Sequence, residues 1–361
     1  MNKDIYIIGL NIYHGDSSAC IMKNGEIIFA IEEERINRIK HWAGLPIESI
    51  KACLKFSNIS IEKVDYIAIN SNPFSNIFFK IKYSLMNVKD YKFFLEKLFL
   101  KNKKISFDKL LGSKLNVKKL PKIKYFDHHL CHMASAYFPS NFKKSLLISA
   151  DGFGDFASTV AAVANNNSID IKHKILFPHS LGIFYQAFTQ LLGFKNYGDE
   201  YKVMGLSAYG KNRFKDKIDN VIKVTDGSFK LNMSYFDYNV GLTMTNKKFN
   251  DLFGGPPRAS ETEITQREMD LAASVQKVTE DIDQDVSISW SKIISELKHN
   301  PYLVLLHVLI HLCILQYHIF YQVVLHIFHM QGHINQMILS YIILVWDFLN
   351  LLLYIFLYHM V

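Results

Sequence analysis

Apolar residues run without a break from Ile5 to Asn11, the pattern of a strand buried on both faces. A polar turn follows, Tyr13-His14-Gly15-Asp16-Ser17-Ser18-Ala19. Cys20–Lys23 and Glu26–Glu32 read as two further strands around Asn24-Gly25, a dipeptide that accepts the positive φ angles of a tight type I′ hairpin. The spacing predicts a helix over Pro46–Phe56 and a strand over Val64–Asn70. Lys124–Phe126 leads into a helix carrying Asp127-His128-His129-Leu130-Cys131-His132, and Ser145–Ala150 is a buried strand that delivers Asp151 at its carboxyl end. Ser158–Ala164 returns as a strand, Gly182–Leu192 is an aromatic-rich helix, and Asn196–Gly210 is a loop dense in glycine and polar groups. Thr265–Asp283 is an amphipathic helix with Leu271, Ala272, Val275 and Val278 on one face. Strands alternating with helices predict an α/β protein.

The order strand, polar turn, hairpin resembles the start of the two-lobed actin-like, sugar-kinase ATPase fold, in which the first turn reaches toward a phosphate or other anion. Leu146–Asp151 and Ser158–Ala164 echo the opening hairpin, with Asp151-Gly152-Phe153-Gly154-Asp155 as the turn. The expected division is a first lobe over residues 1–145, with a lysine-rich helical section at about 72–124, and a partial second lobe over residues 146–300.

Candidate chemistry centres on His128, His132 and Asp151. Residues four apart lie on one face of a helix, so both imidazoles can point at the same spot. Two imidazole nitrogens and a carboxylate oxygen, with coordination positions left open, make a common catalytic metal set. On spacing alone the alternative stays open: two surface histidines on an amphipathic helix.

Charge and composition refine this picture. The chain has 361 residues, enough for two packed lobes, and a formal charge of +8. Fourteen lysines between Lys80 and Lys124 face only Asp90, Glu96 and Asp108, with aromatics interleaved. That section reads either as an anion- or RNA-attracting surface or as amphipathic helices with lysines on the wet face, and the second reading is preferred. The four cysteines are neither at metal spacing nor in a disulfide pattern, and the start of the chain lacks the pattern of a signal peptide, so a reducing, cytoplasmic setting is expected. Residues 301–361 differ: Asp347 is the sole Asp, Glu, Lys or Arg, and seven of the fifteen histidines fall there. Met337–Tyr358 is about long enough to span a bilayer, but Asp347 and Asn350 lie within it and no Lys or Arg flanks it. A metal-binding histidine tail is a second reading. The third and preferred one is a coding frame lost near residue 300, which would remove Lys and Glu together.

Seven collinear stretches between about residues 5 and 290 resemble the bacterial O-carbamoyltransferases of the NodU/CmcH/TobZ family. They are Asn11–Ala19, Ile31–His41 with its Glu32-Glu33-Glu34-Arg35 run, His128–His132, Asp151–Asp155, Pro178-His179-Ser180-Leu181-Gly182, Tyr197–Leu206 and Asp270–Gln276. The resemblance implies that a carboxyl-terminal YrdC-like domain makes carbamoyl-adenylate from carbamoyl phosphate and ATP. It further implies that the actin-like domain passes the carbamoyl group to an acceptor hydroxyl beside an iron-type metal, Fe(II) being expected. On that basis His128, His132 and Asp151 would be metal ligands and His14 the base, with a structural hydrogen bond to its own turn as the competing role. Lys40 and Lys202 would hold the phosphate or carbamoyl oxygen, with solvated surface lysines as the alternative. Ser180, Gly182 and the backbone at Gly152, Gly154, Gly198 and Gly205 would border the nucleotide, ordinary turn glycines being the alternative.

The chain departs from the family pattern near Asn300. The Gly-Gly-x-Ala-Leu-Asn stretch and the later aspartate that would be a fourth ligand are absent, as are the motifs of the YrdC-like domain, so impaired activity and an incomplete second lobe are expected. The expected partners are carbamoyl phosphate, ATP, a hydroxylated small molecule or saccharide and, as an open option, a second copy of the chain in a homodimer, without nucleic acid or membrane. Two other functions stay open: a tRNA threonylcarbamoyl-transfer-like protein, and a membrane-associated binding protein without enzymatic activity.

Overall fold

The computed structural model describes residues 3–86, 107–238, 243–297 and, by backbone alone, 304–309. The middle of the lysine-rich section and most of the histidine-rich tail, including Met337–Tyr358, lie outside the described residues.

The first lobe is built on β1 (Tyr6–Asn11), β2 (Ser18–Lys23), β3 (Glu26–Glu32), β4 (Tyr66–Ile69) and β5 (Lys122–Tyr125), in the order β3-β2-β1-β4-β5. β1 pairs antiparallel with β2 and parallel with β4, so Gly9 lies opposite both Cys20 and Ala68. The predicted hairpin is present: Asn24 and Gly25 have φ of 53° and 93°. Ile7, Ile8, Leu10, Ile21 and Ile67 fill the core against α2 (Ile47–Phe56), whose Ile50 and Cys53 face inward. The start of α2 is capped from a distance. Glu33, buried at the start of α1 (Glu33–Asn37), accepts from Glu48 N, Ser49 N and Ser49 Oγ at 3.1, 2.8 and 2.8 Å. α3 (Ile77–Met86) and α4 (Phe107–Leu115) are the described helices of the lysine-rich section, and Phe107 and Leu111 turn into the core.

α5 (His128–Tyr137) leads to the second lobe: β6 (Lys144–Gly154), β7 (Ala157–Asn165) and β8 (Ser168–Leu176) form an antiparallel meander. The backbone of β11 (Val304–Leu309) runs parallel to β6, pairing Val304 with Ser145 through Leu309 with Ala150. The order β8-β7-β6-β11 thus repeats β3-β2-β1-β4, the doubled plan of the actin-like fold, and the second sheet includes residues beyond 300. α6 (Leu181–Leu191), α7 (Glu200–Ser207), α8 (Lys215–Ile218), the β9–β10 ribbon (Ile222–Thr225, Ser228–Leu231), α9 (Lys247–Leu252) and α10 (Gln266–Leu297) pack around a core of Phe184, Phe188, Phe249, Phe253, Leu271 and Val275.

Two expectations are corrected. Asn196–Gly210 is not loop throughout: Glu200–Ser207 is helical, because Glu-Tyr-Lys-Val-Met are adequate helix formers and Val203 buries fully against this core. The helix expected to stop at Asp283 continues to Leu297, because Ile282, Val286 and Trp290 carry the apolar stripe onward at four-residue spacing. β8 was not foreseen, since its exposed positions carry Lys172 and Asp170 and its pattern is that of an edge strand.

Candidate functional site

The site lies where the two lobes meet. On β6 the pairing with β7 shifts between Ala150 and Gly154, leaving Asp151, Gly152 and Phe153 out of the ladder and able to face a ligand. α5 brings His128 and His132 to the same place. His128 Nε2 is 2.9 Å from Asp151 Oδ2, His132 Nε2 is 3.4 Å from that oxygen, and the two Nε2 atoms are 2.9 Å apart. Both imidazoles are buried, and their rings cross at 86°.

Neighbouring groups fix this geometry. The Asn70 carbonyl, at the end of β4, lies 3.3 Å from His128 Nδ1 and can take a proton there, leaving the Nε2 lone pair directed at the cluster. Asp155 caps α5, accepting from His128 N at 2.9 Å, and ties it to the first lobe through Ser71 Oγ at 2.9 Å and Asn72 N at 2.8 Å. Asp127 holds Ser75 at 2.7 Å and Lys174 at 3.2 Å. Gly154 is required by proximity: a Cβ there would come within 2.0 Å of His128 Cδ2. The Gly182 position is equally tight, with a Cβ 2.7 Å from Gly152 N, so the start of α6 rests on the Asp151–Gly152 backbone. Ser180 caps α6, accepting from Ile183 N at 3.0 Å, while its hydroxyl donates to the Asp151 carbonyl at 3.0 Å.

Charge is polarised within the cluster. Burial works against ionisation of Asp151, but hydrogen bonds from His128 and His132 outweigh it and hold the carboxyl well below its usual range. Burial also disfavours a charged His128, yet Asp151 reverses the balance and raises its pKa. His132 has burial and then the neighbouring His128 against its charge, and its pKa falls to about 4. A deprotonated carboxylate beside a neutral imidazole is the donor state a divalent cation needs. Two buried imidazole nitrogens and one carboxylate oxygen, all within 4.8 Å of one another, fit iron, zinc or manganese.

The other expected residues divide. His14 is brought to the cluster: its ring centroid lies 4.8 Å from that of His128, tilted by 30°. It rides on the β1–β2 turn, where Tyr13 and Asp16 have φ of 59° and 57°. The turn is held by Asn11 Nδ2, which donates to the Gly15 and Asp16 carbonyls at 3.4 and 3.1 Å. Lys40 is exposed on the segment after α1. Lys202 is engaged, its ammonium 2.7 Å from Asp199. Gly198 has a φ of 83°, a turn requirement, and the Gly205 Cβ position meets nothing within 4 Å. Sequence reasoning gave no role to His129, Asp155, Asn11 or Asn70. His129 is structural: its Nδ1 is 2.9 Å from Ser149 Oγ and its Nε2 is 3.1 Å from the Ala157 carbonyl. The available signal for the asparagines was an amide at the carboxyl end of each of two adjacent buried strands, where ligands gather in open α/β sheets.

Fold and site together define a two-lobed actin-like α/β protein with a candidate metal centre at the lobe junction. The chain belongs to the carbamoyltransferases, an enzyme family: the profile described as "Carbamoyltransferase N-terminus" matches residues 6–335. "Uncharacterized protein sll1178" of Synechocystis is 42% identical over 288 residues, covering 77% of this chain and 47% of that protein. "Nodulation protein NolNO" of Sinorhizobium fredii is 32% identical over 281 residues, covering 75% of this chain and 38% of that protein. The chain therefore spans half or less of the length of these relatives. Component A of the Acidaminococcus fermentans (R)-2-hydroxyglutaryl-CoA dehydratase aligns over 91% of the chain at 12% identity with a TM-score of 0.42, a distant likeness from which nothing about activity follows.

Proposed function

We propose that this chain carries the acyl-transfer half of an O-carbamoyltransferase, moving a carbamoyl group from carbamoyl-adenylate to a hydroxyl of a small-molecule or saccharide acceptor. The observation that carries the reading is the convergence of His128 Nε2, His132 Nε2 and Asp151 Oδ2 beside His14. Family membership supports carbamoyl transfer in general.

A carbamoyl carbonyl is a weak electrophile because its nitrogen donates electrons into it. His128, His132 and Asp151 would hold a divalent cation, which would supply Lewis acidity toward that carbonyl or the adjoining phosphate. His14 takes the proton of the acceptor hydroxyl as its oxygen attacks the carbamoyl carbon. The new C–O bond forms, the bond from that carbon to the phosphate oxygen breaks, and AMP leaves with the electron pair. Packing of α6 on the Asp151–Gly152 backbone keeps the carboxylate fixed during this exchange. Lys40, on the segment next to the β1–β2 turn, serves the phosphate; Lys202 does so only by sharing its charge with Asp199.

The test is metal loading of the full chain together with transfer from supplied carbamoyl-adenylate. Loss of a ligand in His132→Ala should weaken metal binding by more than about 100-fold. His14→Asn should keep the metal and lose about 10²–10⁴-fold in transfer rate. Metal content unaffected by His132→Ala would overturn the assignment.

A further inference from the structure

A second group of donors lies apart from His128, His132 and Asp151. One ligand atom from each of Asp16, Glu34 and His41 falls within 4.8 Å of the others. His41 Nδ1 is 2.9 Å from Asp16 Oδ1, and His41 N donates to Glu34 Oε2 at 2.9 Å. The segment before α7 closes over them. Tyr197 meets the His41 ring edge-on with centroids 5.4 Å apart, and it packs so closely on Gly15 that a Cβ there would lie 2.5 Å from its ring.

Three residues on, Glu200 is 7% exposed, and its buried Oε2 has no hydrogen-bond partner. A carboxylate oxygen sealed from water and unpartnered is costly and calls for a cation or its bound water. Tyr197, on the same segment three residues earlier, ties Glu200's stretch of chain to the His41 ring and to Gly15. Among the described residues, Arg35 pairs with Glu32 and Glu34, Lys202 with Asp199, and His41 with Asp16.

We propose that Asp16, Glu34 and His41 form a second cation site, for a hard divalent ion of the Mn²⁺ or Mg²⁺ type, with Glu200 as the carboxylate that closes it. The oxygen-rich donor set with one imidazole suits such ions better than the two-imidazole cluster does. The β1–β2 turn is common to both places, His14 facing the first and Asp16 belonging to the second. An ion on Asp16 would hold a turn that carries two non-glycine residues at positive φ, and so would position His14.

The test counts Mn²⁺ bound to the full chain by the loss of the free-ion electron paramagnetic resonance signal. Wild type should bind two ions per chain. His132→Ala should retain one, and adding Asp16→Asn with Glu34→Gln should abolish it. Glu200→Gln in the His132→Ala background should weaken the remaining ion about 10-fold. The site is overturned if folded His132→Ala binds no Mn²⁺, a measurement that needs no substitution at the new site. It is equally overturned if His41→Gln and the Asp16/Glu34 pair leave the retained ion unchanged. Failure of the first centre would look different: wild type would bind a single ion, insensitive to His132→Ala and lost with Asp16 and Glu34.

Discussion

Replacing Gly154 by alanine separates the demands of packing from those of the backbone. The φ of Gly154 lies outside the left-handed region, so alanine meets no conformational barrier there. The added methyl would sit 2.0, 2.4 and 2.8 Å from Cδ2, Cγ and Cβ of His128. Ordinary contact begins at 3.4 Å, so the ring or the strand must retreat by about 1.4 Å. His128 has nowhere simple to go: it is 5% exposed and tied to Asp151 at 2.9 Å, to Asn70 at 3.3 Å and, through its own N–H, to Asp155 at 2.9 Å. Overpacking of this kind costs about 1–3 kcal/mol. Metal bonds tolerate errors of only about 0.2 Å, so the same shift removes a ligand and should weaken metal binding by more than about 100-fold. Urea unfolding of the metal-free protein reads the first effect, and titration with Fe(II), Zn²⁺ or Mn²⁺ reads the second. Gly154→Ala with wild-type stability and wild-type affinity would refute the packing argument and the ligand assignment of His128 together.

His129→Ala should cost about 2–4 kcal/mol, from a cavity and two orphaned partners at Ser149 and Ala157, while the metal count stays at wild type; fewer ions bound to the folded variant would contradict its structural role. Gly205→Ala, in the interior of α7 with open space at Cβ, should gain about 0.5–1 kcal/mol in thermal unfolding yet weaken nucleotide binding if backbone approach at Gly205 matters; unchanged nucleotide affinity would remove Gly205 from the nucleotide surface. Burial opposes ionisation of Asp127, but Ser75 and Lys174 prevail and lower its pKa, so its contribution is complete above the unfolded-state value and fades as pH falls through the folded one. Lys174→Met should therefore cost about 1–3 kcal/mol at neutral pH, with the deficit shrinking below about pH 4; a deficit independent of pH would refute the pairing.

The first lobe was legible because its strands are continuous apolar runs punctuated by Asn24-Gly25, and the His128/His132 spacing announced a shared face. What stayed hidden depends on long-range packing. Nothing local marks His129 as a buried strut between Ser149 and Ala157 while its neighbour His128 turns to Asp151. The Glu32-Glu33-Glu34 run reads as one acidic patch, yet Glu33 caps a helix, Glu34 receives the His41 amide, and Glu32 pairs with Arg35. α7 was obscured by the glycines at 198, 205 and 210, which answer to different needs. Gly198 supplies a positive φ, Gly205 faces open space, and Gly210 presses against the Met269 carbonyl, where a Cβ would lie 1.9 Å away.

The doubled sheet plan explains why the chemistry sits at the lobe junction. β1 ends at Asn11, β4 is followed directly by Asn70, and the apolar run of β6 gives way to Asp151, so three core-filling runs lead into one polar rim. Asn70 binds Asn11 through its side chain at 3.0 Å and faces His128 with its carbonyl, linking the turn that carries His14 to the helix that carries the imidazole pair. Asp155 closes the loop from the second lobe onto Ser71 and Asn72. Relative movement of the lobes must therefore strain the Asn70–His128 contact and those of Asp155 with Ser71 and Asn72. Binding of an ion by residues of α5 and β6 should in turn stiffen the junction, which amide exchange at residues 70–72, slowed on metal addition in wild type and unchanged in His132→Ala, would register.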